Sequence, residues 1–331
     1  MVNELLNGTL TDVAGIKVGH FTDSRRPTGC TVIRTEDGAT AGVDVRGASP
    51  GTRETDVLDP CCRVDQVHAI VLSGGSAFGL DAATGVMRWL DEHGYGLPVG
   101  PARVPIVPAA ILFDLAMGDH RIRPDASAGY AACAAANSLA VEQGSIGAGA
   151  GATIGKLMGP QRGMKGGLGS ASIRIHGVTV AALVAVNALG DVVDPANGQL
   201  LAGARTADGN RLVGTADALR RGILPMMPGV GSATTIGVVA TDAKLDKAQA
   251  KKMAQTAHDG LARSISPVHT QWDGDTVFAL ATNKAKRTLD AAILDMLSAE
   301  VMAQAVVNAI RAATRVSGNG VPDLPPWHEF R

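Results

Sequence analysis

The stretch that most constrains this chain is Val178-Thr179-Val180-Ala181-Ala182-Leu183-Val184-Ala185-Val186, closed by Asn187. A short run rich in β-branched residues reads as a strand. Successive side chains of a strand point to opposite faces, so a run that is apolar throughout must be covered on both. It demands a central place in a sheet with a layer on each side. Ser172–Ile175 reads as its partner across a turn at Gly177. Asn187 is the polar residue where the buried strand gives out, and strand ends in layered folds gather binding groups.

A second stretch supplies a chemical candidate. Gly231-Ser232-Ala233-Thr234-Thr235 leads through small residues into the β-rich run Ile236-Gly237-Val238-Val239-Ala240-Thr241-Asp242. Threonine is common where strands begin, so the pair alone carries no function. Cutting the peptide bond before Thr234 would change that, because one residue would then hold a hydroxyl and a free α-amine. Such an amine titrates at about pH 8 and can take the hydroxyl proton near neutrality, as a self-activated threonine nucleophile does.

Earlier in the chain, Ile16–Val18, Cys30–Ile33 and Ala41–Val45 read as short strands split by Gly, Pro and Asp signals. The apolar run Val67–Ser73 meets Gly74-Gly75-Ser76, and a helix from Ala77 to Glu92 follows, stopped by Gly94 and Gly96. Ser76 misses the G-x-S-x-G elbow because Phe78 stands where the second glycine belongs. Neither glycine pattern of nucleotide binding occurs. Gly129–Ala140 reads as a helix. Gly144–Gly169 reads as a glycine-dense loop, whose lysines, Lys156 and Lys165, would ordinarily solvate the surface. Asp194–Pro228 has no period and reads as a long linker, exposed enough to hold a processing site at its far end. Helical periodicity returns at Lys244–Arg263. The turn Asp273-Gly274-Asp275 precedes a strand at Thr276–Ala281, and Thr288–Thr314 is one long helix or two packed ones. The Pro- and Gly-rich tail from Gly318 lies over the surface. This order implies mixed sheets covered by helices rather than regular βαβ units.

A net charge of -1 favours neither nucleic acid nor an anionic membrane as a partner. The sequence shows no basic, apolar leader, and no uncharged apolar run of about 18 residues that would span a bilayer. Cys30, Cys61, Cys62 and Cys133 lack C-x-x-C spacing and read as reduced, apolar fillers of a cytoplasmic protein. The histidines lack H-E-x-x-H spacing, so no metal is expected. His258 and His269 read as structural.

Several segments together resemble a known family. They are Thr11–His20, Pro50-Gly51-Thr52-Arg53-Glu54-Thr55-Asp56, Leu72-Ser73-Gly74-Gly75-Ser76-Ala77-Phe78-Gly79-Leu80 and Lys165–Ser172, followed by the Thr234 stretch, Ala257–Arg263, Pro267–Thr270 and Asp273–Thr282. In order and spacing the set is similar to the P1 (S58) peptidases, which include the D-aminopeptidase DmpA, the β-peptidyl aminopeptidases and the nylon-oligomer endo-hydrolases. The resemblance implies an α/β (α+β) fold, a four-layer α/β/β/α sandwich shared with the ornithine acetyltransferases. It implies one self-processing domain over residues 1–331, cut between Ala233 and Thr234. It further implies an N-terminal-nucleophile aminopeptidase or amidohydrolase with no cofactor, assembled as a homotetramer of processed heterodimers.

Roles carry over with the resemblance. Thr234 takes the nucleophile position and Asn187 that of the oxyanion donor. Lys156 matches a lysine set close to the nucleophile, and Asp273 and Asp275 match an Asp-Gly-Asp pair that touches its amine and hydroxyl. The implied substrates are small peptides or amides, including β- or ω-aminoacyl units, with the site charges orienting a charged end. Two departures stand out: Ala233 where the nearest pattern has Asn, and Phe113 where the nylon-oligomer enzymes have Tyr. The alternatives are an acyltransferase of ornithine acetyltransferase type and an unprocessed scaffold.

Overall fold

The computed structural model describes residues 6–226, 232–318 and 320–330. Nine strands among them are joined in one hydrogen-bonded system: β1 (Lys17–Thr22), β2 (Gly29–Val45), β3 (Thr52–Arg53), β4 (Val67–Ser73), β5 (Ala109–Ile111), β6 (Gly167–Ile175), β7 (Val178–Asn187), β8 (Thr234–Thr241) and β9 (Thr276–Ala281). The order is β6-β7-β8-β9-β2-β4-β5-β3, with β1 also paired to β2. The helices are α1 (Ala82–Glu92), α2 (Ala126–Ala135), α3 (Thr215–Arg220), α4 (Lys247–Ser264) and α5 (Ala291–Ala312).

The 17-residue β2 turns this path into two sheets. Its first half, Gly29–Arg34, lies between β1 and β4, while Thr40–Val45 pairs with β9, and the register shifts between Arg34 and Ala39. A strand bent in this way passes from one packed sheet to the other. Cys30–Ile33 and Ala41–Val45, separate strands on sequence grounds, are thus two halves of one.

The alternation of side chains along the strands builds the layers. Val180, Ala182, Val184 and Val186 of β7 pack with Met253, Leu261, Val301 and Val306 of α4 and α5. The intervening Ala181, Leu183 and Ala185 join Ile33, Ile70 and Leu72 of the other sheet in a middle layer. On that second sheet, Val32, Ala69 and Val71 face Val86, Leu90 and Ala132 of α1 and α2. The result is the four-layer α/β/β/α arrangement. Truncating a side chain such as Leu183 in the middle layer would cost roughly 2–5 kcal/mol. Small residues let the layers close: a Cβ on Gly169 would lie 2.1 Å from the Ala305 carbonyl of α5. Composition alone would let α5 cross a membrane, yet 67% of its most apolar stretch is buried in this fold.

Several expectations need correction. The Asp194–Pro228 linker carries structure: Leu200–Ala202 pairs with Asp191–Val193, and α3 follows. Pro228 and Gly231 lie outside the described residues. The second helix runs over Ala126–Ala135 because Asp125 caps it, accepting the Ala128 N–H. The tail forms the hairpin Val316–Gly318/Val321–Leu324 and buries Leu324. Cys61 and Cys62 are exposed rather than core fillers, whereas Cys30 and Cys133 are buried. Neither lysine of the glycine-rich loop simply solvates the surface: Lys165 is fully buried and Lys156 half-buried.

Candidate active site

The last residue of β7 and the first of β8 stand directly opposite each other, Asn187 against Thr234. Strand β9 runs parallel to β8, so the turn that precedes it brings Asp273-Gly274-Asp275 to the same end of the sheet. Thr234, Asn187, Asp273 and Asp275 are all buried.

In the uncut chain the Thr234 hydroxyl donates to the carbonyl oxygen of Ala233, the peptide group it would attack. The same oxygen accepts the Gly274 N–H at 3.1 Å, and the Ala233 N–H donates to the Trp272 carbonyl at 3.3 Å. A Cβ on Gly274 would lie 2.9 Å from Thr234 Oγ1 and 2.5 Å from the Ser49 carbonyl, so glycine is required by close approach. Ala233 is itself fully buried, which suits a small residue at this departure from the nearest family pattern.

The carboxylates are tightly held. Asp275 Oδ1 accepts the Thr235 N–H at 2.6 Å, while Oδ2 accepts the His269 backbone N–H at 3.1 Å and pairs with His269 Nδ1 at 2.7 Å. Asp273 Oδ2 accepts the Thr270 N–H at 2.9 Å and the Thr270 hydroxyl at 2.5 Å. Burial pushes the Asp273 carboxyl above its ordinary range and the neighbouring Asp275 adds to this, against the Thr270 donors.

Lys156 Nζ donates to three oxygens: Asn187 Oδ1 at 2.7 Å, the Asn187 carbonyl at 2.8 Å and the Ser232 carbonyl at 3.0 Å. Three acceptors suit an ammonium. Burial nevertheless pushes its pKa down to about 7, opposed by Asp273, Asp114 and Asp275. Asn187 Oδ1 also accepts the Thr153 N–H at 2.9 Å, which settles the orientation of the amide. Its Nδ2 donates one amide hydrogen to the Phe113 carbonyl at 3.0 Å and has a second to give. Phe113 therefore serves the site through its backbone. A cavity of about 170 Å³ beside Lys156 is lined by Phe113, Ala116, Met117, Thr153 and Ser232. A larger groove of about 250 Å³, lined by Lys252, Met253 and Leu294, includes none of the five candidates and has no part in this chemistry.

The fold thus brings all five candidates together. In the uncut chain Lys156 and Asp273 are hydrogen-bonded to neutral groups and Asp275 to His269 and the Thr235 N–H, and one of the Lys156 partners, the Ser232 carbonyl, lies on the segment before Thr234. Sequence reasoning missed the Gly274 N–H, Thr153, Thr270 and the contact of His269 with Asp275. His269 sits close to the Asp-Gly-Asp turn in sequence, which was the available signal. His258 packs edge-on against it with ring centroids 4.8 Å apart. Burial pushes His258 down to about 4. Ser76, which misses the G-x-S-x-G elbow, lies at the turn after β4 with its N–H on the Leu112 carbonyl.

Residues 8–322 match Peptidase family S58, and the chain belongs to that family. An uncharacterised aminopeptidase of Mycobacterium leprae is 43% identical, with 94% of this chain and 92% of that protein covered. A 6-aminohexanoate-oligomer endohydrolase of a Kocuria species is 30% identical over 91% of this chain and 85% of its own. Among solved structures, the L-aminopeptidase D-Ala-esterase/amidase of Ochrobactrum anthropi, an Ntn-hydrolase variant, superposes with a TM-score of 0.70 at 21% identity, covering 98% of this chain and 92% of its own. A Burkholderia β-aminopeptidase gives 0.69 at 22%, covering 96% and 90%. This chain is a hydrolase, a peptidase or amidase with that fold, and the named relatives favour hydrolysis over acyl transfer.

Proposed function

We propose that the chain matures by cutting its own Ala233–Thr234 bond and then hydrolyses amide bonds of small peptides or aminoacyl amides through an ester on Thr234. The observation that carries this reading is the Thr234 hydroxyl resting on the Ala233 carbonyl with Asn187 across the ladder. In maturation, Thr234 Oγ1 adds to the Ala233 carbonyl carbon, the C–N bond breaks and the nitrogen takes the hydroxyl proton. Water then hydrolyses the ester, leaving a carboxylate on Ala233 and a free amine on Thr234.

In turnover that amine takes the hydroxyl proton while Oγ1 attacks the substrate carbonyl, and it passes the proton to the leaving nitrogen. Water releases the acyl group by the reverse sequence. The free Asn187 N–H would stabilise the oxyanion, a term worth roughly 3 kcal/mol. Asp275 lies one residue from the nucleophile's amine, where its negative charge favours the protonated amine, and Lys156 works in the opposite sense while charged.

Intact-mass measurement and an assay with short aminoacyl p-nitroanilides test the proposal. Thr234→Ala should remain one uncut chain without hydrolysis. Asn187→Ala, prepared mature, should lose roughly a hundredfold or more in kcat. Substantial turnover by Thr234→Ala would place the nucleophile elsewhere, and turnover that requires an added acceptor amine would restore the acyltransferase reading.

A further inference from the structure

We infer that Arg26 and Asp114, a buried ion pair beside the cavity, are positioning residues for the Asn187 amide, fixing both of the groups that orient it. The inference rests on Asn187 being the oxyanion donor of the proposed reaction. Arg26 lies in the turn between β1 and β2, and Asp114 follows β5. Both side chains are buried, with Arg26 Nη2 on Asp114 Oδ1 at 2.6 Å. Asp114 borders the cavity next to Lys156, yet both of its carboxylate oxygens are taken. Oδ1 also accepts the Gly75 N–H at 2.9 Å, and Oδ2 accepts the Thr28 hydroxyl at 2.6 Å.

Two routes lead from this pair to Asn187. The first runs along the chain. Residues 112–125 form neither strand nor helix, so their carbonyls have no ladder of their own. One guanidinium ties them together. Its Nη1 donates to the Asp114 and Met117 carbonyls at 2.7 and 3.1 Å, and its Nε to the Ile122 carbonyl at 2.6 Å. Phe113, next to Asp114, presents the carbonyl that takes Asn187 Nδ2 at 3.0 Å. The second route is packing. A Cβ on Gly151 would lie 2.6 Å from both Cβ and Oδ2 of Asp114, so the glycine-rich segment seats directly on that side chain. Two residues further on, the Thr153 N–H meets Asn187 Oδ1 at 2.9 Å. The two ends of the amide are thus keyed to one ion pair.

A buried pair of this kind adds little net stability over apolar residues of the same volume, because the desolvation of two charges offsets their attraction. What it adds here is direction. A planar guanidinium meets several acceptors at fixed angles, which a single ammonium does not. Catalysis is sensitive to such direction, since a misplacement of about 1 Å can cost roughly a hundredfold in rate. The same guanidinium holds Met117, which with Phe113 and Ala116 walls the cavity.

The test is a double-mutant cycle on kcat for hydrolysis of short aminoacyl p-nitroanilides, counted per cut chain by intact mass. Arg26→Lys keeps a charge beside Asp114 but loses the planar fork, and should lower kcat roughly tenfold or more while Asn187 is present. In the Asn187→Ala background the same change should cost less than roughly threefold, because the group it positions is gone. Thr28→Val removes one donor from Asp114 and should cost roughly threefold, again only with Asn187 present. Thr28→Ser, which keeps the hydroxyl, should restore kcat. Should Arg26→Lys fail to fold, the Thr28 pair carries the comparison. Equal losses in both backgrounds, or an unchanged kcat in both Arg26→Lys and Thr28→Val, would overturn the inference and leave the hydrolase reading standing. Variants that fold but stay uncut would also overturn it, since the pair would then serve maturation rather than turnover. A near-normal kcat for Asn187→Ala alone would overturn the inference together with the oxyanion role on which it rests.

Discussion

Asp275 is held from two directions by one residue, the backbone N–H and the Nδ1 of His269, and this double hold keeps its other oxygen on the Thr235 N–H. His269 is a positioning residue in this geometry, and its two ring nitrogens make the role testable. Asparagine places its amide nitrogen near the position of Nδ1 and tolerates the left-handed backbone found here, φ 54°. Glutamine places its nitrogen nearer Nε2, which is buried without a partner. His269→Asn should keep kcat within roughly threefold, while His269→Gln and His269→Phe should lose roughly tenfold or more, the value of one buried charged hydrogen bond. The pH profile of kcat should move in the last two, since Asp275 would then act on the Thr234 amine from a less fixed position. Equal activity of the Asn and Phe variants would show that His269 merely fills space. The sequence was informative about Thr234, Asn187 and the Asp-Gly-Asp turn because each stands at a strand end or in a motif. His269 read as structural in the sequence, and its hold on Asp275 was not legible there because it arises from a turn that folds the ring back onto the carboxylate.

Within the glycine-rich segment before β6, Lys165 acts as the central tie, donating to the carbonyls of Gly149, Ala152 and Gly166 at 2.8, 2.9 and 3.0 Å. The tied segment leads directly to Thr153, which holds Asn187. Burial pushes the Lys165 amine down to about 7, against an ordinary value of about 10.4 in the unfolded chain. The folded chain therefore releases this proton first. Between those two pH values the unfolded chain holds more protons, so stability rises with pH, by at most about 1.4 kcal/mol per unit from this group. Below about 7 both states are protonated and the slope vanishes. Chemical denaturation of uncut Thr234→Ala protein from pH 6 to 10 should show that rise, and adding Lys165→Met should remove the Lys165 part, leaving the share due to Lys156. An unchanged slope in the double variant would mean that the three carbonyls keep Lys165 charged throughout. The alternation of Val178–Val186 announced both faces of β7, since burial and period speak directly through residue type. The order in Gly144–Gly169 was invisible, because it depends on a cation whose charge reads as surface when seen in sequence.

The two fragments expected from maturation are interleaved in the sheet rather than placed side by side. The path β7-β8-β9-β2 sets two strands from the second fragment between two from the first. All eight residues of β8 and all six of β9 are buried. Helices α4 and α5, also from the second fragment, cover the outer face of the same sheet. The layered arrangement could be anticipated from the doubly apolar strand and the family resemblance. The sharing of β2 could not, because Thr35-Glu36-Asp37-Gly38 reads as a turn that ends one strand and begins another. Separation would strip hydrogen-bond partners from both edges of the β8–β9 pair and expose apolar surface on two faces, at about 25 cal/mol for each Å². Fragments of 233 and 98 residues, counted from a cut before Thr234, should therefore co-elute on size exclusion and appear separately only on denaturing electrophoresis. They should unfold in one transition, and the 98-residue piece expressed alone should fail to fold, since its strands need β7 and β2 on either side. Release of a folded 98-residue fragment under native conditions would show that the cut falls elsewhere or that the sheet does not hold the two pieces together.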